Sequence, residues 1–402
     1  VQKKQKKLLE KAIRMVLFSS STITSLTVLA IILYLFREGI GLFNRSPLEK
    51  GYMIAVNADN PVKSLSPTEI GKIFNQDITN WADVGGNADT IHLFSMDEIG
   101  NYFTEEELGA DFEYVPLKLN ELIKREKNII AFLPETYINS EFSGHTIEVK
   151  KLKVSEFLTG KYWYPTTQPV ASFGILPIIL GTLWVSLGAI FIALPLGLAT
   201  AIYMAEIASS RLRNMLKPAI ELLAGIPSVV FGFFGLIVIV PMVQKVFGLP
   251  VGETALAGSI VLAIMALPTI ITISEDAIRS TPVTLKEASL ALGASRWQTM
   301  KQVIIPYSLS GISAASILGI GRAVGETMAV LMVTGNASTI PHGLLEPVRT
   351  IPATIAAELG EAPFGGTHYQ ALFALGIILF LITFLINLSV EFINLRRASG
   401  RI

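Results

Sequence analysis

The 402 residues contain no cysteine. That excludes disulfides and thiolate metal sites. Histidine is scarce: His92, His145, His342 and His368 are scattered, without an HxxxH or HExxH pair, so no familiar metal-ligand spacing exists. No GxxxxGK[ST] segment occurs, so the chain has no P-loop with which to hydrolyse ATP. Charge is also short. Only 16% of residues are charged against 51% hydrophobic, and the mean hydropathy is +0.54. An ordinary soluble protein is more polar than this, so the composition implies a membrane protein.

The apolar residues are gathered into runs long enough to cross a bilayer, which takes about 20 residues per helix. They predict six spans at 15–37, 173–204, 219–243, 254–274, 308–334 and 369–390. The first run is too long for a signal-peptide core and lacks a clear small-residue cleavage site, so it is expected to be a retained helix. The tail 1–14 is basic, as are the loops at 209–217, 279–301 and 394–402, whereas 247–253 and 336–368 are nearly free of Lys and Arg. By the positive-inside rule both ends are expected on the cytoplasmic side. Residues 45–169 then fall outside as a translocated insert. From Arg45 to Lys161 there are 12 basic and 19 acidic residues, so the insert is acidic while the remainder is basic.

Between the fourth and fifth predicted spans, 281–306 reads "TPVTLKEASLALGASRWQTMKQVIIP". Thr281-Pro282 has the form of a helix N-cap followed by proline at the first helical position. Apolar residues recur at Leu285, Ala288, Leu292 and Trp297, Gly293 interrupts, and Pro306 precedes the next span. Such a segment can lie on the inner leaflet or dock a cytoplasmic partner. Glu287-Ala288-Ser289, then Gly293, then Val303-Ile304-Ile305-Pro306 resembles the EAA loop of ABC importer permeases, with Ser289, Val303 and Ile305 as mild departures. "FGILPIILGTLWVSLGAIFIALPLGLATAIYMAE", "LAGIPSVVFGFFGL" and "GRAVGETMAVLMVTGN" extend the likeness over about residues 172–402, to the phosphate-importer permeases of the PstC type. The resemblance implies the mainly helical type I ABC importer permease fold over 170–402. It implies that Glu287, Ala288, Ser289, Gly293 and Pro306 belong to the surface seated on an ATPase.

Arg322 and Glu326 are charged groups within the fifth predicted span, where each costs at least a few kcal/mol at bilayer depth. Four residues apart, they are expected to share one helix face. Small residues recur every fourth position, Gly311, Ala315, Gly319 and Ala323 in one row and Gly321, Gly325 and Ala329 in another, so the helix is expected to pack against protein. The two charges either latch one another or serve transport. A guanidinium offers an oxyanion a fork of donors, and the resembled family places this Arg and Glu in the phosphate pathway. Arg322, Glu326 and the adjacent Thr327 are therefore candidate pathway residues. In the third span, Gly225, Pro227 and Ser228 mark a kink, or a break whose backbone lines the pathway. Glu221 is expected at the start of that helix, where a carboxylate suits the dipole.

The insert alternates strand and helix patterns: strands at 51–57, 91–96, 129–135 and 147–154, and helices at 66–75 and 120–128, an α/β module. "NPVKSLSPTEIGKIFNQDITNWADVGG" and "KNIIAFLPE" resemble one lobe of phosphate-binding proteins. "SMDEIGNYF" stands where that family has its phosphate-cradling Ser-Gly-Thr turn. A docking or regulatory module is favoured over an independent phosphate site.

Together these resemblances imply a permease subunit of an ATP-driven phosphate importer in a bacterial plasma membrane. Its partners would be a PstA-like second permease forming a heterodimer, two PstB-like ATPase subunits and an extracytoplasmic phosphate-binding protein, with no nucleic acid. No cofactor is expected on this chain, ATP and Mg being held by the ATPases. A sulfate, molybdate or tungstate permease and a phosphate-sensing membrane scaffold are the alternatives. A membrane enzyme is disfavoured, since the spans hold no nucleophile–base constellation.

Overall fold

The computed structural model describes residues 2–109, 111–138 and 142–399. Most side chains of the predicted tails 1–14 and 394–402 lie outside the described residues. The chain forms two units, 1–153 with 166–171 and 362–377, and 154–165 with 172–361 and 378–402.

In the first unit, helix α1 (Gln2–Gly41) runs for 40 residues. At 1.5 Å per residue this is about 60 Å, twice the hydrocarbon thickness. Its apolar part lies within Ile13–Asn44. The α/β part follows as β1 (Tyr52–Asn57), β2 (Ser64–Leu65), α2 (Pro67–Phe74), β3 (His92–Ser95), α3 (Glu105–Leu108), α4 (Val115–Arg125), β4 (Ile129–Pro134), β5 (Gly144–Thr146) and β6 (Glu148–Val149). The main sheet has the order β3-β4-β1-β5. Strand β1 is antiparallel to both β4 and β5, while β3 runs parallel to β4. Ile54, Val56 and Ile130 face a cluster with Ile70 and Trp81, whereas Ala55, Ala131 and Leu133 face one with Leu119 and Leu122. Both faces of the central strands are thus covered, which is why they read as continuous apolar runs.

Helix α2 opens with a capping box between Ser66 and Glu69. Burial pushes the Glu69 carboxyl up, but the Ser66 backbone N–H and hydroxyl, with Lys150 and Lys153, outweigh it and hold it below its usual value. The helix expected at 120–128 begins earlier, at Val115, because Pro116 seats in its first turn, and ends at Arg125. The strand expected at 147–154 shortens to β6. Its alternating pattern meets a partner, β2, over two residues only, and Val154 already opens a helix.

The second unit contains α5 (Val154–Thr159), β7 (Trp163–Tyr164), β8 (Ser172–Phe173), α6 (Leu176–Ile202), α7 (Ser210–Ala224), α8 (Ser228–Phe234), α9 (Val240–Phe247), α10 (Ala255–Arg279), α11 (Val283–Ala291), α12 (Arg296–Thr299), α13 (Ile305–Tyr307), α14 (Leu309–Gly325), α15 (Met328–Val333) and α16 (Ile351–Glu358). Helix α17 (Thr367–Ser399) begins in the first unit and ends in the second. The insert was expected to end at 169, but α5 and β7 already belong with the helical unit: β7 pairs with β8, and the buried Trp163 ring meets Phe173 edge-on.

Among the described residues five helical stretches are long and apolar enough to span a bilayer: Ile13–Asn44, Leu176–Ile207, Ser228–Phe247, Ala255–Arg279 and Thr367–Ser389. A sixth is the pair Arg296–Tyr307 and Leu309–Gly325, bent by 67°. Two predicted spans are therefore redrawn. The third starts at Ser228 rather than 219, because α7 ends at Gly225 and Pro227 caps a new helix. Glu221 consequently lies in the last turn of α7, not at a helix start. The fifth span, expected as one helix over 308–334, ends at Gly325 and resumes at Met328.

Helices α6 and α10 form the centre of this unit. Gly188 lies against Ser259, whose hydroxyl donates to the Val185 carbonyl at 3.1 Å, and Gly197 lies against Ile270. Ala315, Gly319 and Ala323 of the first predicted small-residue row are buried, and Gly311 and Gly319 pack on Ala277 and Ile270 of α10. The second row divides: Ala329 is buried, whereas Gly321 and Gly325 are exposed with nothing close to their Cα hydrogens.

Candidate functional site

The two breaks meet. Helix α8 follows the break at Gly225–Pro227, and α15 follows the break at Glu326-Thr327. A Cβ on Gly232 would sit 3.0 Å from the Ala329 Cα, and one on Gly235 would sit 2.8 Å from a Val333 methyl. Rising residue numbers face rising ones, so the half-helices run in parallel, with Ser228 and Thr327-Met328 at neighbouring starts. Helix starts present unpaired N–H groups and favour negative charge. Helices interrupted inside the bilayer are tolerated where the freed backbone lines a cavity or is buried in protein.

The break also separates the two charges. Glu326 leaves α14 with extended backbone (φ −71°, ψ 133°), so Arg322 and Glu326 do not share one continuous helix face as expected. They form no ion pair. Instead a Glu326 carboxylate oxygen accepts from the Ala329 N–H at 3.5 Å, at the start of α15. Arg322 lies in the last turn of α14, half-buried, and no other described residue bonds it or neutralises it. The mutual latch is absent from this conformation.

Thr327 is half-buried and lines a cavity of about 490 Å³ together with Gly325, Pro352, Ile355, Leu359 and Leu379. Arg322 and Glu326 adjoin this cavity in sequence without lining it. One wall is α16, and several contacts fix that helix. The Thr182 hydroxyl accepts from the Ile351 N–H at 2.9 Å. Gly181 lies so close to the Arg349 carbonyl that an added Cβ would collide with its oxygen. Glu358, at the far end of α16, pairs with Arg349 at 2.7 Å and accepts the Trp163 indole N–H at 3.0 Å. Trp163, Thr182, Arg349 and Glu358 were not singled out as site residues from the sequence, because the contacts joining them cross up to 195 residues of chain.

The loop at 281–306 forms a second, separate constellation. Helix α11 begins at Val283 with Pro282 at its cap, one residue later than Thr281-Pro282 predicts. The Thr281 hydroxyl is instead buried against that of Ser308 at 3.1 Å, closing the neck of the loop. Ser289 and Thr299 join the limbs through their hydroxyls at 3.0 Å. Between them Gly293 has φ +86°, a left-handed conformation that other residues adopt at a cost. Glu287 and Ala288 are exposed, Pro306 seats in α13, and Leu292 and Trp297 stand 90% and 67% exposed. Large apolar side chains so displayed at a protein surface mark a contact face.

At the root of this loop the charges are matched. Lys286 of α11 bonds Glu206 just after α6. Lys217 lies 2.7 Å from Asp276 and 3.0 Å from Glu275, and Arg279 lies 3.5 Å from Glu275. The hydrogen bond to Asp276 raises the Lys217 ammonium above the usual lysine value against the effect of burial, and Glu275 adds to it.

In the first unit, a groove of about 690 Å³ is lined by Gln76, Thr79, Thr90, Glu98, Asn101 and Tyr102 with apolar neighbours. It offers hydroxyls, amides and one carboxylate. No Lys or Arg lines it, so it is ill suited to a multiply charged oxyanion.

Residues 193–399 match the family described as "Binding-protein-dependent transport system inner membrane component", and residues 5–179 match a PBP superfamily domain. The chain is 42% identical over 242 residues to a probable ABC transporter permease, YqgH of Bacillus subtilis, covering 60% of this chain and 78% of that one. It is 42% identical over 249 residues to the phosphate transport system permease PstC of Mesorhizobium japonicum, covering 57% and 75%. The methionine ABC transporter MetNI, solved facing inward, has a chain 20% identical to this one, with a TM-score of 0.44 over 56% of this chain and 95% of that one.

Proposed function

Because the chain belongs to the family of inner-membrane components of binding-protein-dependent transport systems, we propose that it is the permease subunit of an ATP-driven phosphate importer, forming half of the translocation pathway. It is a multi-pass membrane protein of the type I ABC permease fold, from a permease family rather than an enzyme family. Arg322 is the observation that carries the cargo assignment: a half-buried guanidinium at a helix break, with no counter-ion among the described residues. Such a group gains from an anionic visitor what it lacks at rest. Glu326 sits where the start of α15 favours negative charge, so it competes with the visitor and keeps binding weak enough for release. Thr327 supplies a hydroxyl at the cavity, and Ser228 and the Gly225–Pro227 break supply the parallel half-helix start.

The loop from Glu287 through Ser289, Gly293 and Pro306 docks one of two PstB-like ATPase subunits, which hold ATP and Mg. The exposed face of α14, at Leu318, Gly321 and Gly325, meets a PstA-like permease. The tails and the docking loop are cytoplasmic. The α/β insert lies outside, as a docking or regulatory module for the phosphate-binding protein. Its cation-free groove favours this over a phosphate receptor of its own.

The test is radiolabelled phosphate uptake in cells stripped of their own phosphate import and supplied with this chain and its companions. Uptake should depend on Arg322 and resist excess sulfate, molybdate or tungstate. Competition by one of those oxyanions would reassign the cargo. ATPase association without any uptake would favour a sensing scaffold.

A further inference from the structure

The docking loop is covalently joined to α10 at one end and to α14 at the other. Helix is broken at both joints: α10 ends at Ser280, and the chain bends by 67° at Ser308. A loop held only at these joints would not need to move a third helix. Yet Lys286 reaches from the loop to Glu206, 80 residues earlier in the chain, with both side chains largely buried. Glu206 lies in the wide π turn Tyr203–Ile207 that continues α6. The same region is packed by apolar side chains as well, since Ala201, Ile278, Met300, Ile304 and Ile312 form one buried cluster.

Helix α6, which carries Pro195 within it, then leads from this strut toward Thr182, 24 residues away, about 36 Å at helical rise. There the Thr182 hydroxyl holds the first amide of α16 and Gly181 touches the Arg349 carbonyl. Helix α16 walls the cavity that contains Thr327. A set of contacts therefore links the ATPase-docking loop to the cavity wall without using either joint.

We propose that α6 is a coupling rod. Glu206 and Lys286 are positioning residues that deliver the loop's movement to α6, and Thr182 delivers it to α16. An axial or rotational shift of the rod changes where α16 stands against the helix break, so occupancy of the ATPase is felt at the cavity. Interiors transmit such shifts because they are close-packed and resist compression. The proposal rests on the phosphate-importer assignment above and adds to it the route by which ATP hydrolysis reaches the pathway.

The experiment uses the complete transporter in proteoliposomes, with phosphate uptake and ATP hydrolysis measured together. Glu206→Gln and Lys286→Met should each retain the ATPase and hydrolyse ATP within twofold of wild type. Phosphate moved per ATP should fall at least fivefold. The exchanged pair Glu206→Lys/Lys286→Glu should recover to within twofold. Thr182→Val should show the same loss of ratio, and Thr182→Val/Glu206→Gln should be no worse than either alone, because both interrupt one rod. An unchanged ratio in either Glu206→Gln or Lys286→Met overturns the proposal. So do losses that multiply in the Thr182→Val/Glu206→Gln combination, and so does release of the ATPase that the exchanged pair fails to reverse. A wild-type complex that hydrolyses ATP but moves no phosphate defeats the cargo assignment instead. The rod is then tested by whether binding-protein stimulation of hydrolysis survives Glu206→Gln, and survival overturns it.

Discussion

Charges are handled in opposite ways at two places in the helical unit. At the root of the loop 281–306 they are matched: Lys286 with Glu206, Lys217 with Asp276 and Glu275, Arg279 with Glu275. At the break between α14 and α15 they are not, since Arg322 has no partner among the described residues and Glu326 turns to a backbone amide. Matched charges fix geometry, and a neutral substitute of similar shape can stand in for both at little cost. An unmatched cation in an apolar segment is expensive to keep and is suited to a ligand that completes it. On the proposed reading the first place is mechanical and the second is chemical.

The strongest way to break that contrast is at Arg322. Arg322→Gln should lower phosphate uptake at least a hundredfold while leaving assembly and basal ATP hydrolysis intact. Arg322→Gln/Glu326→Gln should stay equally inactive, because no latch exists to be neutralised. Arg322→Lys should keep the charge, lose the planar fork and give partial uptake. Near-normal uptake in the neutral double variant would erase the distinction.

On the mechanical side, Gly293→Asp should reduce co-purified ATPase more than tenfold, with Gly293→Asn closer to wild type because asparagine tolerates left-handed backbone better. Full ATPase recovery with Gly293→Asp would show that the turn does not seat the loop.

A smaller effect is expected at Lys217. Lys217→Met leaves buried Glu275 with Arg279 alone, and the transition temperature of the purified chain should fall by a few degrees. The folded Lys217 pKa is raised, so its contribution is complete below the ordinary lysine value and is lost as pH rises through the higher folded value. The wild-type advantage over Lys217→Met should therefore persist at neutral pH and shrink in strong alkali. An advantage independent of alkali would mean that packing, not charge, joins α7 to α10.

The smallest effect is remote from both places. Ser66→Ala removes the α2 cap and should cost about 1 kcal/mol, read as faster amide exchange in 67–74 with uptake unchanged. Glu69 is held below its usual pKa, so its share of the cap is present at neutral pH and is lost as pH falls through the lowered folded value. Exchange in Ser66→Ala should consequently converge on wild type in acid. No difference at neutral pH would show that tertiary packing alone fixes this helix start.

Most of the plan could be read in order along the chain. Long apolar runs marked the spans, and loop charge gave an expected orientation. Gly293 stood between two short helical patterns, and its positive φ is what only glycine adopts cheaply. Ser66 with Glu69 announced α2 before any contact was known. These are local properties, set by water, hydrocarbon and backbone sterics acting on neighbouring residues.

Other features needed the folded chain. "GIGRAVGETMAVL" reads as continuous helix by composition, yet it breaks at Glu326; at Gly225–Pro227, where the residues themselves announce a kink or a break, the fold chose the break. The sequence by itself determined that this is a membrane-spanning chain, where its apolar segments lie, and that Arg322 and Glu326 had to be accommodated inside one. Tertiary structure alone decided that the two would not meet, that Glu206 would brace Lys286, and that Thr182 would hold α16. The physical reason is that spacing on an ideal helix foretells a contact only while the helix continues. Once backbone turns away to satisfy packing between distant segments, such as Gly232 against Ala329, partners are chosen across the fold.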